Sequence, residues 1–141
     1  MKEALSEAKK GAEQGEVPVG AVLVCEGTII ARSHNLTVCC DNILLHAEML
    51  VMEEGLQKLG KRRLSDCSLY VTLEPCTMCA GAMLLTKPKR LYFGAYDKEA
   101  GACGGKMDVL SGSGIEVYGG IMEAECAALL SDFFQNLRKN G

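Results

Sequence analysis

The apolar positions of this chain change period several times, and each change marks a new element. Ala4, Leu5, Ala8 and Ala12 follow helical spacing, and Gly15 with Pro18 closes that first helix. Val19 to Cys25 is an almost continuous apolar run, the pattern of a strand covered on both faces. Glu26-Gly27 then turns the chain into Thr28 to Ser33, the second arm of an antiparallel hairpin. His46 to Leu59 returns to helical spacing and stops at Gly60. Cys67 to Leu73 is a third strand, with Tyr70, Val71 and Thr72 as strong β-formers. Pro75 opens a helix running to about Leu85, since proline suits a first helical position. Lys89 to Ala95 and Ile115 to Tyr118 complete the strands. Met122 to Arg138 closes as a helix whose stripe of Cys126, Leu130, Phe133 and Leu137 is expected to face the core. After the hairpin, strands and helices alternate, which favours parallel crossovers. The predicted architecture is α/β, a three-layer α/β/α sandwich around a five-stranded mixed sheet. Architecture alone leaves the chemistry open.

Composition narrows the setting. At 141 residues, the whole of 1–141 suits one domain. No apolar run approaches the ~20 residues of a membrane span. The opening Met1-Lys2-Glu3-Ala4-Leu5-Ser6-Glu7 is too acidic for a signal peptide, so a cytoplasmic protein is expected. In that reducing setting the eight cysteines read as metal ligands and small core residues, not as a disulfide framework. Cys25, Cys67 and Cys126 fall in apolar stretches and read as buried thiols. Cys39, Cys40 and Cys103 fall in segments that read as loops. The net charge of −3 argues mildly against a nucleic-acid partner. Lys61, Arg62 and Arg63, then Lys87, Lys89, Arg90, Lys98 and Lys106, are nonetheless clustered. A solvated face explains such clusters by default, and a phosphate-binding edge is the functional alternative.

Two short motifs carry chemistry: His46-Ala47-Glu48 and Pro75-Cys76-Thr77-Met78-Cys79. The second follows a strand and begins a helix, so its two cysteines share a face. A helix N-terminus lowers thiol pKa and favours thiolate ligands. One imidazole and two thiolates form a set suited to zinc, and three protein ligands leave a position open for water, as in catalytic sites. Cys39 or Cys40 could supply a fourth ligand and close the site, although neither has motif spacing. His34, at a strand end without a spaced partner, reads as an ordinary strand-end residue. Glu48, two positions after His46, can reach the open position without occupying it. A zinc-activated hydroxide with a carboxylate shuttling its protons is what hydrolytic deamination requires. Taken alone, Glu48 would be a first-turn acid favoured by the helix dipole.

His-x-Glu followed by Pro-Cys-x-x-Cys is the signature of the zinc base deaminases. Beyond it the chain resembles the bacterial tRNA-specific adenosine deaminases over nearly its whole length. The resemblance runs through Val19 to Val24, Asn35, and the block Leu69-Tyr70-Val71-Thr72-Leu73-Glu74-Pro75-Cys76-Thr77-Met78-Cys79-Ala80-Gly81-Ala82. It continues at Phe93-Gly94-Ala95, Asp97, Gly101-Ala102, and Glu125 to Phe134. It implies a cytidine-deaminase-like fold and conversion of the wobble adenosine of a tRNA anticodon loop to inosine. It also implies one zinc per chain held by His46, Cys76 and Cys79, with Glu48 as general acid and base. Asn35 and the backbone of Ala47 would meet the flipped base, and Asp97 the neighbouring ribose. Phe134 would lie near the anticodon stem-loop, while Phe133 sits on the core stripe. A homodimer is expected, and no membrane association.

The chain departs from that family in places. Asn42-Ile43-Leu44-Leu45 stands where Asp-Pro-Thr/Ser-Ala is usual, removing a rigid turn and offering leucines to the pocket mouth. Tyr96 replaces a common arginine, Glu99-Ala100 replaces a Thr-containing turn, and Gly105 stands where a serine is usual. None of these touches the metal ligands. They leave open a rival reaction on a free base or nucleoside of guanine or cytosine type. A non-catalytic subunit that keeps zinc for stability is the rival from outside enzymology.

Overall fold

A computed structural model describes residues 1–140. Its elements are α1 (Lys2–Glu13), β1 (Gly20–Cys25), β2 (Thr28–His34), α2 (Ala47–Leu59), β3 (Cys67–Leu73), α3 (Thr77–Thr86), β4 (Arg90–Ala95), β5 (Glu116–Tyr118) and α4 (Glu123–Asn140). The predicted five-stranded mixed sheet is present, in the order β2-β1-β3-β4-β5. Strand β1 pairs antiparallel with both neighbours, and β3, β4 and β5 are mutually parallel. Four strands therefore run one way and β1 alone runs against them. The C-terminal ends of β2, β3 and β4 share one pole of the sheet.

Helices α2 and α3 pack together on one face, over Leu23, Leu69, Val71 and Leu91. Helices α1 and α4 cover the other, so the three layers are as expected. Two glycines permit the closest approaches. A Cβ on Gly20 would strike the Ala4 carbonyl of α1, and one on Gly94 would strike the Cys126 sulfur of α4. Both would push a helix off the sheet.

Three expectations need correcting. Pro75 does not open α3. Cys76 is its N-cap, with extended backbone (φ −79°, ψ 178°), and Pro75 lies before it. Proline pre-sets the approach to the helix instead of its first turn. The stripe on α4 is not a core face either. Cys126 is its one buried residue, while Leu137 is 56% exposed and Phe133 only half-buried, because the helix outruns the sheet beneath it. Finally, Cys25 is half-buried, and loop residue Cys103 is a core residue. Burial pushes the Cys103 thiol up to about 12.

Candidate active site

The site grows from the starts of two helices. His46 is the N-cap of α2, extended at φ −74° and ψ 149°, and Cys76 is the N-cap of α3. Since α2 and α3 pack side by side, their N-termini meet at the pole where β3 ends. Cys79 lies one turn into α3 and is buried. The Nδ1 atom of His46 is 3.6 Å from the Cys76 sulfur and 3.5 Å from the Cys79 sulfur. All three candidate ligand atoms lie within 4.8 Å of one another. A tetrahedral zinc, with Zn–S of ~2.3 Å and Zn–N of ~2.0 Å, holds nitrogen and sulfur ligands about 3.6 Å apart. The two nitrogen–sulfur spacings therefore fit the ion. Among the described residues, no other His, Cys, Asp or Glu joins this group. Cys39 and Cys40 are exposed in the turn after β2, with their sulfurs 3.5 Å from each other, so they do not close the site. His34 bonds Glu7 and Gln14 of the α1 segment, in keeping with an ordinary strand-end residue.

The electrostatics match a cation. Hydrogen bonds from Cys79 and His46 hold the Cys76 thiol down at about 3. The same bond to Cys76, with burial, pushes Cys79 upward, and the bond to Cys76 raises His46. Three ligands thus gather around shared protons that a divalent cation can displace. Two helix N-termini add positive potential at the thiolates.

Glu48 lies in the first turn of α2, fully buried, and burial pushes its carboxyl pKa upward. Its Oε1 is buried without a hydrogen-bond partner among the described residues. Buried carboxylate oxygens are rarely left unpaired, so this atom calls for a ligand or water. Asn35, just past β2, accepts the Ala47 N–H on Oδ1 at 2.8 Å. That leaves its Nδ2 to address a ligand.

Asp97 follows β4, half-buried. Its Oδ1 accepts the N–H groups of Glu99 and Ala100, so the side chain folds its own turn. Phe134 is 42% exposed and packs edge-on to Phe133. The groove that Phe133 lines with Ala12, Leu129 and Asp132 includes none of the metal-group residues. The site therefore gathers His46, Cys76, Cys79, Glu48, Ala47 and Asn35, with Asp97 on a bordering loop and Phe134 apart.

Two residues were missed from the sequence. Glu16, fully buried, accepts N–H groups of Val38 and Cys39 and the Thr37 hydroxyl, at 2.8–3.1 Å. Glu74, also buried, accepts the N–H groups of Asp97, Cys103 and Gly105 at 2.7–2.9 Å. Each staples one of the loops bordering the metal group. A Cβ on Gly105, where the family usually has serine, would strike the Glu74 carboxylate as this chain is folded. The available signal was an acid set among apolar residues (Glu16-Val17-Pro18-Val19, Leu73-Glu74-Pro75), because a carboxylate drawn into a core must be paired.

The sequence pattern of the cytidine and deoxycytidylate deaminase zinc-binding region matches residues 1–95. The tRNA-specific adenosine deaminase of Bacillus subtilis is 50% identical, over 99% of this chain and 89% of its own. A structure from a study of A-to-I editing by tRNA deaminases at the wobble position superposes with a TM-score of 0.84, at 43% identity, covering 92% of this chain and 97% of that one. Guanine deaminase from Bacillus subtilis is more distant, with a TM-score of 0.64 and 36% identity over 67% of this chain and 61% of that one. Motif, spacing and likeness agree: the chain belongs to the cytidine and deoxycytidylate deaminase family, among the tRNA-specific adenosine deaminases that it matches over nearly all of its own length.

Proposed function

We propose that this chain deaminates the wobble adenosine of a tRNA anticodon loop. Water adds at C6 of the base and ammonia leaves, giving inosine. The observation that carries this is the unpaired, buried Oε1 of Glu48 beside the His46, Cys76 and Cys79 group. The substrate is inferred from the tRNA-specific relatives.

His46 Nδ1 and the Cys76 and Cys79 sulfurs would hold one zinc ion, which would supply Lewis acidity and ease deprotonation of water at neutral pH. Glu48 carries one proton of the attacking water to the ring nitrogen, which keeps it, and then the second, from the new C6 hydroxyl, to the departing amine, leaving the C6 carbonyl of inosine. Its burial keeps that proton from bulk solvent. Asn35 Nδ2 and the Ala47 backbone orient the flipped base, and Asp97 borders the adjoining ribose. Phe134, apart from the metal group, would meet the anticodon stem beyond the reacting base. An anticodon-loop base is already unpaired, so extruding it costs little. A homodimer working in the cytoplasm completes the proposal.

A second reading, deamination of free guanine, has one observation in its favour. Residues 36–46 beside the site include Asp41 and no Lys or Arg, an unpromising edge for RNA phosphates. Ammonia release measured side by side on a wobble-adenosine stem-loop, guanine and cytosine separates the two. The stem-loop alone should react. Turnover of guanine with an inert stem-loop would replace the proposal with the second reading.

A further inference from the structure

We infer that the pole of the sheet opposite the metal group holds the RNA backbone, outside the reacting loop, through Lys61, Arg62, Arg63, Lys87 and Lys89. This rests on the tRNA reading above and extends it to the source of affinity.

Charge is segregated along the chain. Residues 55–96 contain seven basic residues against Asp66 and Glu74, whereas the remainder contains eight basic against sixteen acidic. Glu74 is buried, so the exposed Asp66 is the one carboxylate of that segment at the surface. Folding brings its basic parts together. Leu64 N–H bonds the Thr86 carbonyl at 2.6 Å, and Lys89 N–H bonds the Cys67 carbonyl at 2.9 Å, which joins the loops after α2 and α3.

Between them lies a cleft of about 820 Å³ with Leu59, Leu64 and Leu85 in its lining and Lys61, Arg62 and Arg63 among its polar residues. A second cleft, of about 340 Å³, is lined by Lys89, Arg90 and Glu26 and shares Asp66 with the first. Lys61 pairs with Asp66 at 3.9 Å and Arg90 with Glu116 at 3.3 Å. Arg62, Arg63, Lys87 and Lys89 have no carboxylate within 4.0 Å among the described residues. A surface kept only for solubility intersperses the two signs. Unpaired cations occur elsewhere on the chain, but here four of them stand together at one pole of an acidic protein, and that clustering points to an external anion.

The catalytic pole is not basic overall: residues 36–46 contain no Lys or Arg, and residues 96–108 set Lys98 and Lys106 against Asp97, Glu99 and Asp108. Strand β3, seven residues long, separates the poles by roughly 20 Å at ~3.3 Å per residue. A phosphate bound there belongs to a different part of the RNA from the reacting base.

The test compares Michaelis parameters of the zinc-loaded chain and its Arg62→Ala/Arg63→Ala/Lys89→Ala variant on full-length tRNA and on a short anticodon stem-loop. The expected result is a KM for full-length tRNA raised about tenfold, with kcat unchanged and the stem-loop KM unmoved. The log–log salt slope for the full-length substrate should fall by about one per phosphate contact removed. Arg62→Lys/Arg63→Lys should keep most of the affinity. Should the triple variant unfold, the single Lys89→Ala variant reads the salt slope by itself. An unchanged KM and slope on full-length tRNA, or an equal loss on both RNAs, overturns this inference and leaves the substrate reading standing. Turnover of neither RNA by the unmodified chain overturns the substrate reading, and this inference with it.

Discussion

His46, Cys76 and Cys79 are placed by two helix starts and one helix contact, whereas the loops beside them are held by carboxylates reaching far along the chain. Glu16 crosses 21 to 23 positions to residues 37–39, and Glu74 crosses 23 to 31 to residues 97–105. The metal corner needs little beyond local geometry: an N-cap, a turn of helix and a neighbouring helix. The rim needs buried charges satisfied by peptide N–H groups. The first arrangement resists sequence drift in the loops. The second lets the rim change its outward residues, as at Asn42 to Leu45, while its backbone stays anchored. Ile43, 80% exposed, is free to vary on these terms.

That contrast can be broken at the corner first. Cys76→Ala should remove zinc and activity together and lower the melting temperature, as read by metal analysis and calorimetry on one preparation. A folded, zinc-replete variant would show that Cys76 is not a ligand. Next, Glu48→Gln should cut kcat by ~10²-fold or more while zinc content holds, because only the proton shuttle is lost. At the rim, Glu74→Ala strands three peptide N–H groups, those of Asp97, Cys103 and Gly105, all in the loop after β4. A stability loss of about 3 kcal/mol is expected, at ~1 kcal/mol or more per unpaired group. Zinc binding should persist. In denaturant titrations, a variant as stable as the parent would remove Glu74 from its stapling role.

The smallest effect concerns pH. Burial pushes the Glu16 carboxyl upward, but the hydrogen bonds from Cys39, Val38 and Thr37 outweigh it and hold the folded-state pKa below 4.5. A lowered carboxyl pKa stabilises the fold above the unfolded-state value, and that contribution fades as pH falls through the folded one. Acid unfolding should therefore include a component below about pH 4.5 that Glu16→Gln removes, visible as a flatter stability curve there. Identical acid limbs for both proteins would mean that the loop does not depend on ionised Glu16.

Legibility in the sequence follows the same division. The strands around Val22, Val71 and Phe93 and the two helices bearing ligands were readable, because alternation and capping are short-range signals. The ligand trio was readable for the same reason. Glu16 and Glu74 could not be assigned partners, since the N–H groups they accept belong to segments whose approach is set by the sheet. The loop from Tyr96 to Gly114, which returns β5 parallel to β4, also buries Cys103, and no spacing in the sequence foretells that. Helix α4 misled through its own periodicity. Its apolar stripe is real, yet the sheet ends before the stripe does.

X-ray absorption at the zinc edge of the isolated chain tests the open metal corner most directly. Two sulfur neighbours at ~2.3 Å, one imidazole nitrogen and one light atom exchangeable with solvent or an added ligand are expected. A third sulfur, or a fourth protein ligand of any kind, would close the position beside Glu48 and contradict the hydrolytic mechanism.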